Sequence, residues 1–304
     1  MNKAMLQSLF LEFLPVESVL IDEPMRKHTS FKIGGPADFL LLPKKIEDIQ
    51  RIIHICKVND APYFVMGNGS NLLVRDKGMR SVVIKIADNF NDVKIEGTKV
   101  IARAGVLLST LSNKVLRESL AGFEFASGIP GTLGGAVTMN AGAYGGEIKD
   151  VLTSCKVLDE EGNVLEFTNE ELKLGYRTSI VQEKGYVVLE VTIDLRQDEY
   201  DKIKERINEL NIQRTTKQPL HLPSAGSVFK RPPGYFAGKL IQDSDLKGVK
   251  VGGAQVSELH SGFIVNVGNA TAADVLNLIK LIQEEVMKNF GVALHPEVRV
   301  IGEE

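Results

Sequence analysis

The chain has 304 residues, 43% of them hydrophobic and 25% charged, and a formal net charge of −3 from 36 basic and 39 acidic side chains. That length suggests about two domains and enough chain to bury a substantial core without cross-links. The nearly balanced charge gives no general field for nucleic acid and no polybasic run for a membrane surface, so an anionic ligand must meet a local cluster of donors.

From Met1 to Leu14 the apolar residues Met5, Leu6, Leu9, Phe10 and Phe13 make a helical stripe, and Glu12 interrupts what would otherwise resemble a signal-peptide core. No apolar run approaches the length that spans a bilayer, and the chain reads as cytoplasmic. Ile46, Ile49, Ile52, Ile53 and Cys56 predict a helix over 46–58. A strand from Tyr63 to Met66 is predicted to lead into a glycine turn at Gly67, with further short strands at 82–86 and 100–104. Leu111, Val115 and Leu116 mark a helix over 107–118. The glycine-dense segment 128–146 is unsuited to an ordinary helix or strand interior. Runs at 155–158 and 164–167 flank the turn Glu160-Glu161-Gly162-Asn163 and read as a hairpin, and alternation over 187–195 gives another strand.

A charged stretch then carries Ile203, Ile207 and Leu210 at helical spacing. The domain boundary is placed here. Residues 1–200 form one region, with subdomains of about 1–60 and 61–200, and residues 201–304 form a second domain. Strand-like sequence follows at 262–267, and a helix from Thr271 to Asn289 opens on a capping-box-like Thr271 and Asp274. A last strand near 298–301 is expected to pack back on the first domain. Strands and helices mix without βαβ alternation, which predicts an α+β protein.

Cys56 and Cys155 lie far apart in apolar surroundings, and His28, His54, His221, His260 and His295 show no ligand spacing. Both thiols are expected to be inert packing residues, and no metal site is expected.

Two glycine-rich segments carry the chemistry. The first is Gly67-Asn68-Gly69-Ser70-Asn71, directly after a predicted strand. Glycine backbones can converge their N–H groups on an anion, and Ser70 and Asn71 can add side-chain hydrogen bonds. It is not the G-x-G-x-x-G fingerprint, because no third glycine opens a helix, and the chain has no P-loop. The second runs through Ser127-Gly128-Ile129-Pro130-Gly131-Thr132-Leu133-Gly134-Gly135 and on to Asn140-Ala141-Gly142-Ala143-Tyr144-Gly145-Gly146. Two such nests suit the two phosphates of a pyrophosphate.

With His28-Thr29-Ser30-Phe31-Lys32-Ile33-Gly34-Gly35 near one end and His295-Pro296-Glu297-Val298-Arg299 near the other, the chain resembles the UDP-N-acetylenolpyruvoylglucosamine reductase family, in its short form. The resemblance implies an FAD-binding fold of the vanillyl-alcohol-oxidase (PCMH) type and a smaller α+β substrate-binding domain. It assigns Gly67, Asn68, Gly69, Ser70 and Asn71, together with Ser127, Gly128, Ile129, Pro130, Gly131, Thr132 and Gly134, to non-covalent FAD.

The resemblance also implies the reaction: NADPH-dependent reduction of UDP-N-acetyl-enolpyruvoylglucosamine to UDP-N-acetylmuramate in peptidoglycan precursor synthesis. Hydride passes through the flavin to C3 of the enolpyruvyl group. Arg177, in Tyr176-Arg177-Thr178-Ser179, and Glu297 stabilise the enol, and Ser227, in Ala225-Gly226-Ser227-Val228-Phe229-Lys230, protonates C2. A guanidinium fork suits the substrate carboxylate at every relevant pH. Tyr144, Lys217, Lys230 and Lys247 are the candidates to contact the sugar nucleotide, and a monomer is expected. Arg231 stands where some members have asparagine, and the chain lacks the tyrosine-bearing insertion of the long form. Two other readings remain open: an FAD oxidase or dehydrogenase of the same superfamily, and a non-catalytic UDP-sugar-binding regulator.

Overall fold

Apolar periodicity becomes packed helix where the sequence repeats every three to four residues. In the computed structural model, which describes residues 2–304, the first helix is Lys3–Leu11 and buries Leu6 and Phe10; Met1 lies outside the described residues. The helix Ile46–Val58 has the expected limits and buries Ile49, Ile52, Ile53 and Cys56. Phe10 and Phe39 meet edge to face with ring centroids 5.5 Å apart.

Two compact units divide the chain. The first comprises the chain up to Leu20, Phe39–Asn68 and Ser81–Arg214; the second comprises Ile21–Asp38, Gly69–Arg80 and Thr215–Glu304. The first unit therefore runs past the expected boundary near residue 200. The helix Tyr200–Lys217 explains this, because its Ile203 and Ile207 pack with Leu116 and Ala121 of the first unit.

In the first unit a five-stranded antiparallel sheet has the order Val164–Thr168, Leu152–Leu158, Val187–Asp194, Lys99–Arg103, Val93–Glu96. Its central strand buries Val187, Val188, Leu189, Val191 and Ile193. The predicted hairpin is present, with Cys155 opposite Phe167 and Leu158 opposite Val164. Tyr63 and Met66 pair in parallel with Val82 and Lys85, which delivers the chain to Gly67.

The glycine-dense segment departs from expectation by forming the short helix Leu133–Thr138. Thr132 caps it by accepting from Gly135 N, and its Leu133, Ala136 and Val137 are buried. Gly134 is needed for packing: an added Cβ would lie 2.9 Å from Cβ of Ala104. Here close approach outweighs the low helix propensity of glycine.

In the second unit the helix Ala272–Phe290 buries Val275, Leu278, Ile279, Ile282 and Val286 against a core that includes Phe31, Leu73, Val228 and Ile264. Its first turn is fully engaged. Thr271 and Asp274 form the expected capping box, and the Asp76 carboxylate accepts from Ala272 N at 2.8 Å and Ala273 N at 3.0 Å. Gly291, at φ +66°, ends the helix in the left-handed conformation. A three-stranded sheet orders Lys250–Val251, Ala254–Val256 and Ile264–Asn266. The last strand, Arg299–Ile301, pairs in parallel with Leu72–Val74, which is early in sequence yet belongs to the same unit. Among the described residues no helix is long and apolar enough to cross a membrane.

Candidate active-site elements

The two glycine-rich segments meet inside the first unit. A Cβ added at Gly67 would lie 2.2 Å from Thr132 Oγ1, so only glycine fits there. After Asn68 the first turn passes into the second unit, where Gly69 is buried at φ +66°. Asn71 has a structural duty in the second unit. Its side-chain amide donates to Glu297 O at 3.2 Å and its carbonyl accepts from Arg299 N, which fixes the last strand.

The second segment lies against a buried arginine. A Cβ at Gly128 would sit 2.9 Å from Nη1 of Arg214, and Ser127 Oγ is 3.4 Å from Asn211 Oδ1. Arg214 is only 9% exposed, and among the described residues its Nε and Nη1 have no hydrogen-bond partner. Burial pulls its pKa down, with Tyr144 acting in the opposite direction. Buried guanidinium donors without acceptors each carry a desolvation cost of about 1–3 kcal/mol, so the site suits an anionic or acceptor ligand. Sequence reasoning gave Arg214 no role, although a signal was there: the stripe Ile203, Ile207, Leu210 lands next on Arg214.

Gly131, at φ +128°, provides backbone that a side chain would distort. Pro130 is exposed and Ile129 half-buried, and Gly134 donates its N–H to Ala104 O at 2.8 Å. Close-approach glycines and an orphaned buried guanidinium together fit a pyrophosphate-bearing cofactor such as FAD.

Two tight turns of the first unit display the residues expected at the substrate. Gly175 and Thr178 exchange hydrogen bonds at 3.1 and 3.3 Å, leaving Tyr176 and Arg177 at the tip. Arg177 is left-handed at φ +57°, an unusual state for a non-glycine residue, and its guanidinium lies 5.1 Å from the centroid of Tyr176. Tyr144 and Gly145, at φ +54° and +88°, form the tip between Gly142–Ala143 and Gly146–Glu147. Both φ values are positive, as in a type I′ hairpin.

Within the second unit the backbone brings Ser227 beside Glu297. Phe229 bridges Pro296, and Val228 O accepts from Glu297 N at 2.7 Å. The acceptors nearest Ser227 Oγ are the carbonyls of Phe229 at 3.4 Å and Gly262 at 3.5 Å, both long for a hydroxyl. His260 is a neighbour the sequence did not indicate. Its Nδ1 accepts from Gly262 N at 3.1 Å, and a Cβ on Gly262 would lie 3.4 Å from Ser227 Oγ. Burial lowers the His260 pKa. Lys217, Lys230 and Lys247 are exposed. Cys56 and Cys155 are buried, and desolvation pushes both thiols up to about 12, so neither is a nucleophile.

Comparison with known proteins supplies the family. A model described as the C-terminal domain of UDP-N-acetylenolpyruvoylglucosamine reductase matches residues 218–301, and an FAD binding domain model matches 37–168. The chain is 65% identical to the UDP-N-acetylenolpyruvoylglucosamine reductase of Alkaliphilus metalliredigens over the whole of both chains. It is 58% identical to that of Clostridium botulinum, over 97% of this chain and 96% of the other. The crystal structure of UDP-N-acetylenolpyruvylglucosamine reductase from Thermus caldophilus superposes with a TM-score of 0.81 at 37% identity, covering 93% of this chain and 99% of that one. The α+β fold, the FAD-binding region and these relatives agree: the chain belongs to the UDP-N-acetylenolpyruvoylglucosamine reductase family of FAD-containing oxidoreductases.

Proposed function

We propose that the chain reduces the enolpyruvyl group of UDP-N-acetylenolpyruvoylglucosamine with NADPH, giving the lactyl ether of UDP-N-acetylmuramate for peptidoglycan synthesis. The observation that carries this reading is the pairing of Ser227-Val228-Phe229 with His295-Pro296-Glu297, which sets a hydroxyl and a carboxylate on adjacent backbone. FAD, when bound, would supply the two-electron hydride chemistry of the reaction. Gly67, Gly128, Gly131 and Arg214 would hold it.

The chain's own residues then have three tasks. As C3 gains hydride, negative charge spreads over C2 and the carboxylate. Arg177 neutralises that carboxylate, since its planar fork can give two parallel hydrogen bonds. Ser227 delivers the proton to C2, and its long contacts leave that proton without a strong competing acceptor. Glu297 helps Arg177 stabilise the enol intermediate. Tyr144, Lys217, Lys230 and Lys247 contact the sugar nucleotide, the lysines balancing its pyrophosphate charge.

Replacing Ser227 with alanine tests the assignment. In single-turnover measurements Ser227→Ala is expected to slow flavin reoxidation by the enolpyruvyl substrate by about 10²- to 10⁴-fold, the range for a lost general acid. Bleaching by NADPH is expected to stay unchanged. Equal slowing of both half-reactions, or of neither, would overturn the role.

A further inference from the structure

One buried amide joins the two substrate-facing turns of the first unit. Asn140 is 1% exposed and left-handed at φ +41°. Its Nδ2 donates to Glu147 Oε2 at 2.6 Å and to Gly175 O at 3.1 Å, while its Oδ1 accepts from Lys149 N at 3.0 Å. Glu147 pairs with Gly142 at the base of the Tyr144 turn, and Gly175 is the first residue of the Tyr176–Arg177 turn. Asn140 therefore reaches both turns at their bases and touches neither tip.

A buried amide must satisfy its polar atoms, and Asn140 makes three bonds, two to the segment Glu147–Lys149 and one to Gly175. Leucine of similar size would leave the Glu147 carboxylate and the Gly175 carbonyl without this donor. Aspartate would set a second carboxylate against Glu147 and an acceptor against Gly175 O. Glu147 is itself held by Lys149 Nζ at 2.7 Å, and its N–H donates to Asp150 at 2.8 Å. On the far side of the arginine turn, the fully buried Ser179 donates its hydroxyl to Thr138 O at 2.7 Å. Both flanks of the turn are thus pinned to the glycine-rich segment that also carries Tyr144. The strained φ of Arg177 persists because its surroundings over-determine it.

We propose that Asn140 is a positioning residue that fixes where the Arg177 guanidinium stands relative to Tyr144, so that one anionic substrate meets both. The proposal rests on the reading of Arg177 as the group that neutralises the substrate carboxylate. Misplacement by about 1 Å can cost up to about 100-fold without any change in the chemical groups present.

The test compares Asn140→Ala, Arg177→Ala and the double variant as FAD-loaded full-length proteins, with the two half-reactions followed separately by flavin absorbance. Asn140→Ala is expected to slow reoxidation by the enolpyruvyl UDP-sugar by about 10- to 100-fold and to leave the rate and KM of NADPH reduction unchanged. In the Arg177→Ala background the same change is expected to add less than about twofold, because coupled residues are not additive. Full additivity, or equal slowing of both half-reactions, overturns the positioning role of Asn140. If Arg177→Ala reoxidises at the wild-type rate, the reading of Arg177 fails and takes this proposal with it. Should Asn140→Ala not retain FAD, Glu147→Ala removes one arm of the same network at a half-exposed position. It is expected to give a smaller loss in the same half-reaction, again absent when Arg177 is already alanine, and a loss that persists there overturns the proposal.

Discussion

Thr132 occupies the space that a side chain on Gly67 would need: a Cβ there would lie 2.2 Å from its Oγ1 and 3.3 Å from its Cβ. Two segments distant in sequence are thereby held in contact at the point where both were expected to face a pyrophosphate. Gly67→Ala is expected to destabilise the protein by about 1–3 kcal/mol through overpacking and to lower FAD content at purification. Adding Thr132→Ala removes the nearest atom and is expected to restore part of both. Thermal denaturation and the ratio of flavin to protein absorbance measure the two effects. A Gly67→Ala protein that is as stable and as flavin-rich as wild type would contradict the close contact.

Arg214 makes a prediction of opposite sign for the apo and FAD-bound proteins. Among the described residues its Nε and Nη1 are buried without a hydrogen-bond partner, so replacing it with methionine removes unsatisfied buried donors from the apo protein. Arg214→Met is expected to leave the melting temperature of the apo form unchanged or raise it. FAD affinity is expected to fall about 10- to 150-fold, equivalent to a charge-assisted hydrogen bond of about 1.5–3 kcal/mol. Unchanged affinity by fluorescence titration would show that Arg214 does not meet the cofactor.

His260 links stability to pH. Burial depresses its folded pKa below 6.5, so its contribution is fully present above about pH 6.5. It is lost as pH falls from there through the folded value, because the unfolded chain takes up the proton first. His260→Asn keeps an acceptor near the position of Nδ1 for Gly262 N–H and cannot titrate. Urea midpoints between pH 7.5 and 5.5 are expected to fall less steeply for this variant than for wild type. Equal slopes would contradict a depressed His260.

What the sequence made legible was local. The helix Ile46–Val58 has its expected limits because Ile49, Ile52, Ile53 and Cys56 share one face. The helix Ala272–Phe290 starts where Thr271 and Asp274 satisfy each other's backbone. The interleaved units were not legible. The pairing of Arg299 with Leu72 joins distant segments and leaves no local pattern, so Gly69–Arg80 could not be assigned to the second unit.

The candidate site divides in the same way. The glycine segments and the motif residues Arg177, Ser227 and Glu297 stand out by resemblance and by composition. Asn140 reads in sequence as one more polar loop residue, and only its three bonds reveal it as a hub. Gly134 was read as cofactor backbone because glycine serves close packing and ligand approach equally well. Its contact with Ala104 shows the packing role.

The most direct test of the central claim is the visible spectrum of the purified protein under anaerobic conditions, first with NADPH and then with UDP-N-acetylenolpyruvoylglucosamine. The expected result is flavin bands that bleach with NADPH and return when the sugar nucleotide is added, with one product formed per flavin reoxidised. Bands that bleach and do not return with this substrate would contradict the proposed reaction, and a protein that takes up no FAD would contradict the cofactor site itself.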